Sequence, residues 1–153
     1  MKNLIVTPVL ALLMCCSAFA QNESCDKFQA LVSYNNVNIA LLTRLNTDYR
    51  TAITWESIDA DHPDAVKVRE KIDREEEQIK ANPFPEKPTH EDIVLASKTC
   101  RNITDDFISL SHEYNDLVDE LVKLRQQFRA LRGEEVSTLP TLLRGQRWRL
   151  YDT

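Results

Sequence analysis

The chain has 153 residues and a formal net charge of −5, with 24 Asp and Glu against 19 Lys and Arg. That acidic balance argues against nucleic acid or anionic lipid as a partner, since both demand clustered Lys and Arg. Only Gly133 and Gly145 are glycine, which excludes a P-loop, a dinucleotide fingerprint and a nucleophile elbow, each needing several glycines at fixed spacing.

Residues 1–20 read as a secretory signal. Lys2 is the positive start, Leu4 to Cys16 is an apolar run interrupted only by Thr7 and Pro8, and Ala18-Phe19-Ala20 supplies the small–x–small cleavage site. The run is too short for a stable membrane span. Met14 and Cys15 fit poorly as the small residue that lipoprotein processing prefers before Cys15 or Cys16. Cleavage after Ala20 leaves 133 residues of net charge −6, one domain's worth, in a secreted or periplasmic product with no stable membrane insertion. Cys15 and Cys16 leave with the signal. The remaining pair, Cys25 and Cys100, favours a disulfide in an oxidising compartment, the alternative being two buried thiols.

The first element of the mature chain runs from about Ser24 to Ser57 with no Gly or Pro, and Asn22 and Ser24 are candidate N-caps. Steps of three and four pick out Cys25, Phe28, Val32, Asn35, Ile39, Leu42, Asn46, Tyr49, Ile53 and Glu56, a heptad seam. A second stripe, Leu31, Leu45 and Ala52, runs beside it. A turn at residues 59–64 leads into a short helix, Ala65 to about Lys80, with a thin apolar face (Ala65, Val68, Ile72, Ile79) and Glu75-Glu76-Glu77 read as solvated. Residues 82–88 hold three prolines and read as an extended connector.

Thr89 and Asp92 resemble a capping box, and the spacing predicts one helix from there to about Arg132, with Gly133 as its cap. Its seam is Ile93, Ala96, Cys100, Ile103, Phe107, Leu110, Tyr114, Leu117, Leu121, Leu124, Phe128 and Leu131, twelve successive positions without a charge. Beyond it, residues 134–153 carry no helical period past a possible turn near Leu142.

The cysteines occupy equivalent heptad positions, so a bridge requires the two long helices to lie parallel and in register. Phe28 would then meet Ile103, Val32 meet Phe107, Leu42 meet Leu117 and Ile53 meet Phe128. An antiparallel hairpin would hold the cysteines too far apart to bond. The short helix and the extended connector together cover the return path of about 60 Å, with little slack. The expectation is therefore all-α, an elongated three-helix up-down-up bundle over residues 21–133 with two long parallel helices, a short middle helix and a non-helical extension over 134–153. The apolar stripes outside the two-helix seam need cover from the middle helix, the C-terminal segment or another molecule.

Chemistry is sparse. Asp59, Asp61, Asp64 and Glu70 invite a calcium loop, but Pro63 and Asp64 stand where an EF-hand needs an oxygen ligand and a glycine, so an acidic capping turn reads better. His62, His90 and His112 have no metal-ligand spacing. Asn22-Glu23-Ser24 and Asn102-Ile103-Thr104 match the glycosylation sequon, which matters only in a eukaryote. Asn35 and Asn46 on the seam either fix register or mark a looser stretch with Leu45 turned in. Arg144, Arg147, Trp148, Arg149, Leu150 and Tyr151 join arginine to aromatics, the composition of interface hot spots, or else fold back on the bundle. The expectation is an exported helical interaction protein with a protein partner and no cofactor or metal: an adaptor, chaperone-like binder, inhibitor or accessory subunit of an envelope assembly. The alternatives are a small hydrolase with a site near the Asp59–Asp64 turn, and a homo-oligomeric structural coiled coil.

Overall fold

The computed structural model describes residues 7–134 and 146–148, with side chains from residue 23 onward. The described residues are all-α: α1 (Thr7–Ile58), α2 (Pro63–Ala81), α3 (His90–Thr99) and α4 (Arg101–Leu131). None of the described helices is long and apolar enough to cross a membrane.

Two boundaries differ from the sequence expectation. In the full chain α1 runs without interruption through Ala20, so Asn22 and Ser24 lie inside the helix and cap nothing; no Gly or Pro stands between Ala20 and Ser57 to stop it. The single helix expected over 89–132 is two helices, because Cys100 leaves the helical region (φ −141°, ψ 57°). The break falls on the residue bonded to α1, in a stretch that holds neither Gly nor Pro.

The local signals elsewhere act as their chemistry dictates. His62 caps α2 by accepting the Asp64 N–H at Nδ1, and Pro63 occupies the first turn, where its missing N–H costs nothing. Thr89 and Asp92 form a reciprocal capping box at 2.9 and 3.1 Å. The Thr89 N–H and then the Lys27 ammonium hold the Asp92 carboxyl below its ordinary pKa. Gly133 takes φ +66° just past α4, a conformation glycine adopts without strain.

Contacts rise together along α1 and α4. Cys25 bonds Cys100, Asn35 Nδ2 donates to Ser111 Oγ at 3.2 Å, Asn46 Nδ2 donates to the Leu117 carbonyl at 3.1 Å, and Arg50 pairs with Glu120. The two helices are parallel. Phe28 meets Phe107 edge-on at 5.2 Å and Tyr49 meets Phe128 at 5.7 Å. Each ring on α4 thus meets α1 a turn earlier than the heptad count suggests, as expected for helical side chains that lean toward the N-terminus. Along α2 the order reverses: Arg69 pairs with Glu56, Lys71 with Asp48, Glu76 with Tyr49, and Asn82 with Asn38. α2 is antiparallel to both.

The core is broader than the seam. On α1 the second stripe, Leu31, Leu45 and Ala52, is as deeply buried as Phe28 and Leu42, whereas Val32, Ile39 and Ile53 are half-buried. On α4 the buried line is Thr104, Phe107, Ser111, Tyr114, Val118, Leu121 and Leu124, and Ile103, Leu110 and Leu117 move to its flank. The reason is that α1 is sandwiched between α2 and α4, so its apolar face must serve two neighbours. α2 covers the half nearer its own N-terminus through Ala65, Ile72 and Ile79. Above Asn82 its place is taken by Phe84 of the connector and Trp148.

Candidate functional site

The expected cystine is present: Cys25 and Cys100 are joined with Cα atoms 5.8 Å apart, and both side chains are half-buried. Of the six residues proposed to dock a partner, Arg144, Arg149, Leu150 and Tyr151 lie outside the described residues. Trp148 takes the opposite role. It is 4% exposed, its indole sits against Phe84 (4.5 Å), Phe107 (5.0 Å) and Tyr34 (6.3 Å), and its Nε1–H donates to Asn35 Oδ1 at 2.7 Å. A ring in that position is covered by the bundle itself and offers nothing to a partner. Arg147 remains exposed and pairs with Asp119. Asn35 and Asn46 are both buried and hydrogen-bonded across to α4, and Leu45 is turned in beside Asn46 rather than in its place.

Six large apolar side chains are exposed among the described residues: Val37, Val94 and Leu95 lie elsewhere, while Ile58 (73%), Leu131 (51%) and Val66 (39%), one from each of three rods, lie at the end remote from the cystine, where α1 and α4 finish and α2 begins. A shallow groove of about 450 Å³ runs along α1 between Thr47 and Ile58, with Trp55 in its wall. A second, of about 310 Å³, is lined by Tyr49, Val66 and Phe128, with Arg69, Asp73 and Arg132 at its polar side. The second groove is backed by a half-buried ion pair. Arg125 pairs with Glu76 at 2.5 Å, and both bond the Tyr49 hydroxyl, which donates to Glu76 and accepts from Arg125 Nε at 3.2 Å. Burial and then the Glu76 charge push the Tyr49 phenol far above its ordinary pKa, so it stays a donor. One interaction thus ties three helices beneath the open end.

The Asp59–Asp64 turn is engaged in holding itself together. Asp59 Oδ1 accepts the Asp61 N–H, Lys67 pairs with Asp64, and Arg69 binds both Glu56 and the Ala60 carbonyl. The His62 ring stacks on Trp55 at 4.4 Å with 9° between planes. Among the described residues no group of three or more His, Cys, Asp or Glu side chains converges as a metal site would require.

One polar cluster was misread from the sequence. Glu75, placed with its neighbours on a solvated face, is buried against Asp48 of α1, whose carboxylate holds Lys71 at 2.8 Å. Glu75 Oε2 has no hydrogen-bond partner among the described residues. Desolvation, and then the charge of Asp48, raises the Glu75 carboxyl above its ordinary pKa. The signal was available: Glu75 lies three residues after Ile72 and four before Ile79, on the apolar stripe of α2.

Compared with known proteins, the chain matches no family model, and no curated protein or solved structure matches it.

Proposed function

We propose that the chain is an exported helical interaction protein, an adaptor, chaperone-like binder, inhibitor or accessory subunit, that meets its protein partner through the open end of the bundle. The observation that carries this reading is the exposure of Ile58, Leu131 and Val66 together at one end, beside two grooves with apolar walls. Large apolar side chains scattered singly on a surface need no explanation, but convergence from three helices marks an interaction surface. A helical or extended segment with two or three apolar anchors suits such grooves, the arginines and acids around them giving orientation.

The test compares tagged wild-type protein with an Ile58→Glu, Leu131→Glu double variant in capture from the native envelope fraction. Both sites are solvent-facing, so the variant should keep its melting temperature and lose whichever partner the wild type retains. An unchanged partner set would remove the open end from consideration. Intact mass of the native product should lack residues 1–20; a mass that includes Met1 would remove export. A homo-oligomeric coiled coil is the second reading, favoured by the same exposed end, and light scattering of the wild type against the double variant separates it.

A further inference from the structure

We propose that Asp48 and Glu75 share one proton across the α1–α2 interface, and that this proton is the catch that seats α2 on the bundle. Both side chains are more than nine-tenths buried. An ionised carboxylate only accepts hydrogen bonds, so two of them buried in contact leave oxygens that neither can satisfy. The Lys71 ammonium stands 2.8 Å from Asp48 Oδ2, yet its hydrogen bond goes to Oδ1 at 2.9 Å. Asp48 Oδ2 and Glu75 Oε2 are buried and without a hydrogen-bond partner among the described residues. One proton on Glu75 supplies the missing donor. Its hydroxyl gives to the Asp48 carboxylate, and a single negative charge is left for Lys71 to balance.

The surroundings favour that state. Glu75 meets Asp48 and Arg44 from α1 and Lys71 from its own helix, and α4 reaches the neighbouring position, where Arg125 pairs with Glu76. Arg44 and Lys71 are exposed, so water screens the two cations while the two carboxylates stay buried. Burial, and then Asp48, outweigh them and raise the Glu75 carboxyl above its ordinary pKa. Glu75 has no way out alone. Ile72 and Ile79 are buried on either side of it along the same stripe, and Glu76 is held by Tyr49 and Arg125. A Glu75 carboxylate reaches water only if this stretch of α2 lifts from α1. A group whose pKa is raised in the closed state stabilises that state fully below its open-state value, and stops doing so as pH rises through the raised one. With an open-state glutamate near ~4.3, α2 is seated most firmly in acid and loosens as pH climbs. α2 gives way before the long pair does, because the cystine and the Phe28–Phe107 contact, neither of which titrates there, hold α1 to the α3–α4 arm.

Hydrogen exchange of the full-length chain between about pH 5 and 8, where ordinary carboxylates are already ionised, tests this. Amides of residues 70–80 should lose protection by about tenfold per pH unit over part of that range, the slope of one released proton. They should also be less protected than those of residues 104–124 at every pH. Glu75→Gln sets a fixed N–H donor against Asp48 and should flatten the α2 profile at its acid level. A flat wild-type profile, or a slope that Glu75→Gln leaves in place, overturns the proposal. Equal protection in the two stretches means that the bundle opens as one and overturns α2 as the part the catch holds. Carbon-13 carboxyl spectra of the wild type decide the matter even where the variant fails to fold. The Glu75 signal should titrate above the ~4.3 of an ordinary glutamate, and the Asp48 signal should move with it. A Glu75 titration at or below that value, or one without response at Asp48, means two independent carboxylates and overturns the shared proton.

Discussion

Asp48 and Glu75 face each other across α1 and α2, and burial together with the Asp48 carboxylate outweighs the relief that Lys71 and Arg44 give the Glu75 charge. A folded-state pKa raised above the unfolded value stabilises below the unfolded pKa and loses that stabilisation as pH rises through the folded value. Starting from an unfolded glutamate near pH ~4.3, the bundle should therefore weaken as pH climbs toward neutrality. Glu75→Gln keeps the shape and removes the charge. It should raise the neutral-pH melting temperature by several degrees, about 1–3 kcal/mol, with little change near pH 4. Melting curves at the two pH values check this, and equal shifts at both would mean that Glu75 is ionised without cost. The case also shows what a sequence hides at this scale. Three consecutive glutamates read as a solvated run, and the stripe position of Glu75 competed with that composition and lost. Trp148 was ambiguous for the opposite reason, because an aromatic beside arginines has the same composition whether it faces a partner or its own bundle.

At the scale of elements, most of the fold was legible. The heptad spacing located α1 and α4, the three prolines located the connector, and the cysteine positions required parallel long helices. Three features were not legible. The break at Cys100 falls where the chain is bonded to a residue 75 positions away, and no Gly or Pro nearby announces it. The rotation of the core from Leu110 and Leu117 toward Ser111 and Val118 follows from α1 having neighbours on two sides. The role of Phe84 in closing the upper bundle was invisible because it sits alone among prolines. Substitutions separate the expected seam from the observed core. Phe107→Ala, fully buried between Phe28 and Trp148, should cost roughly 3–5 kcal/mol. Leu131→Ala, an equally good seam residue by spacing but half exposed, should stay within roughly 0.5 kcal/mol of the parent in urea denaturation. Equal losses at the two sites would mean that the seam as counted from the sequence is the core.

Across the whole molecule, the cystine closes a 75-residue loop that contains α2, the connector and α3. Restricting the unfolded chain to that extent is worth about 4 kcal/mol in the chain-entropy model, a large part of a typical ~5–15 kcal/mol stability. Cys25→Ser with Cys100→Ser should lower the melting temperature by about 10 °C or more at this size; a shift under two or three degrees would mean that packing alone sets the stability. The same bond has a mechanical consequence. Cys25 stands in the first half of α1 and Cys100 at the head of α4, so tension applied between the chain ends is carried across the sulfur bridge, and everything from Asp26 to Thr99 is shielded from stretching. An optical trap should find that reduction lengthens the fully extended protein by about 250 Å, the contour of the released loop at ~3.3–3.6 Å per residue. Equal lengths before and after reduction would mean that no such bridge spans the loop. While the bridge holds, a tug on either terminus can straighten α4 and peel away the tail, but it cannot draw out the loop.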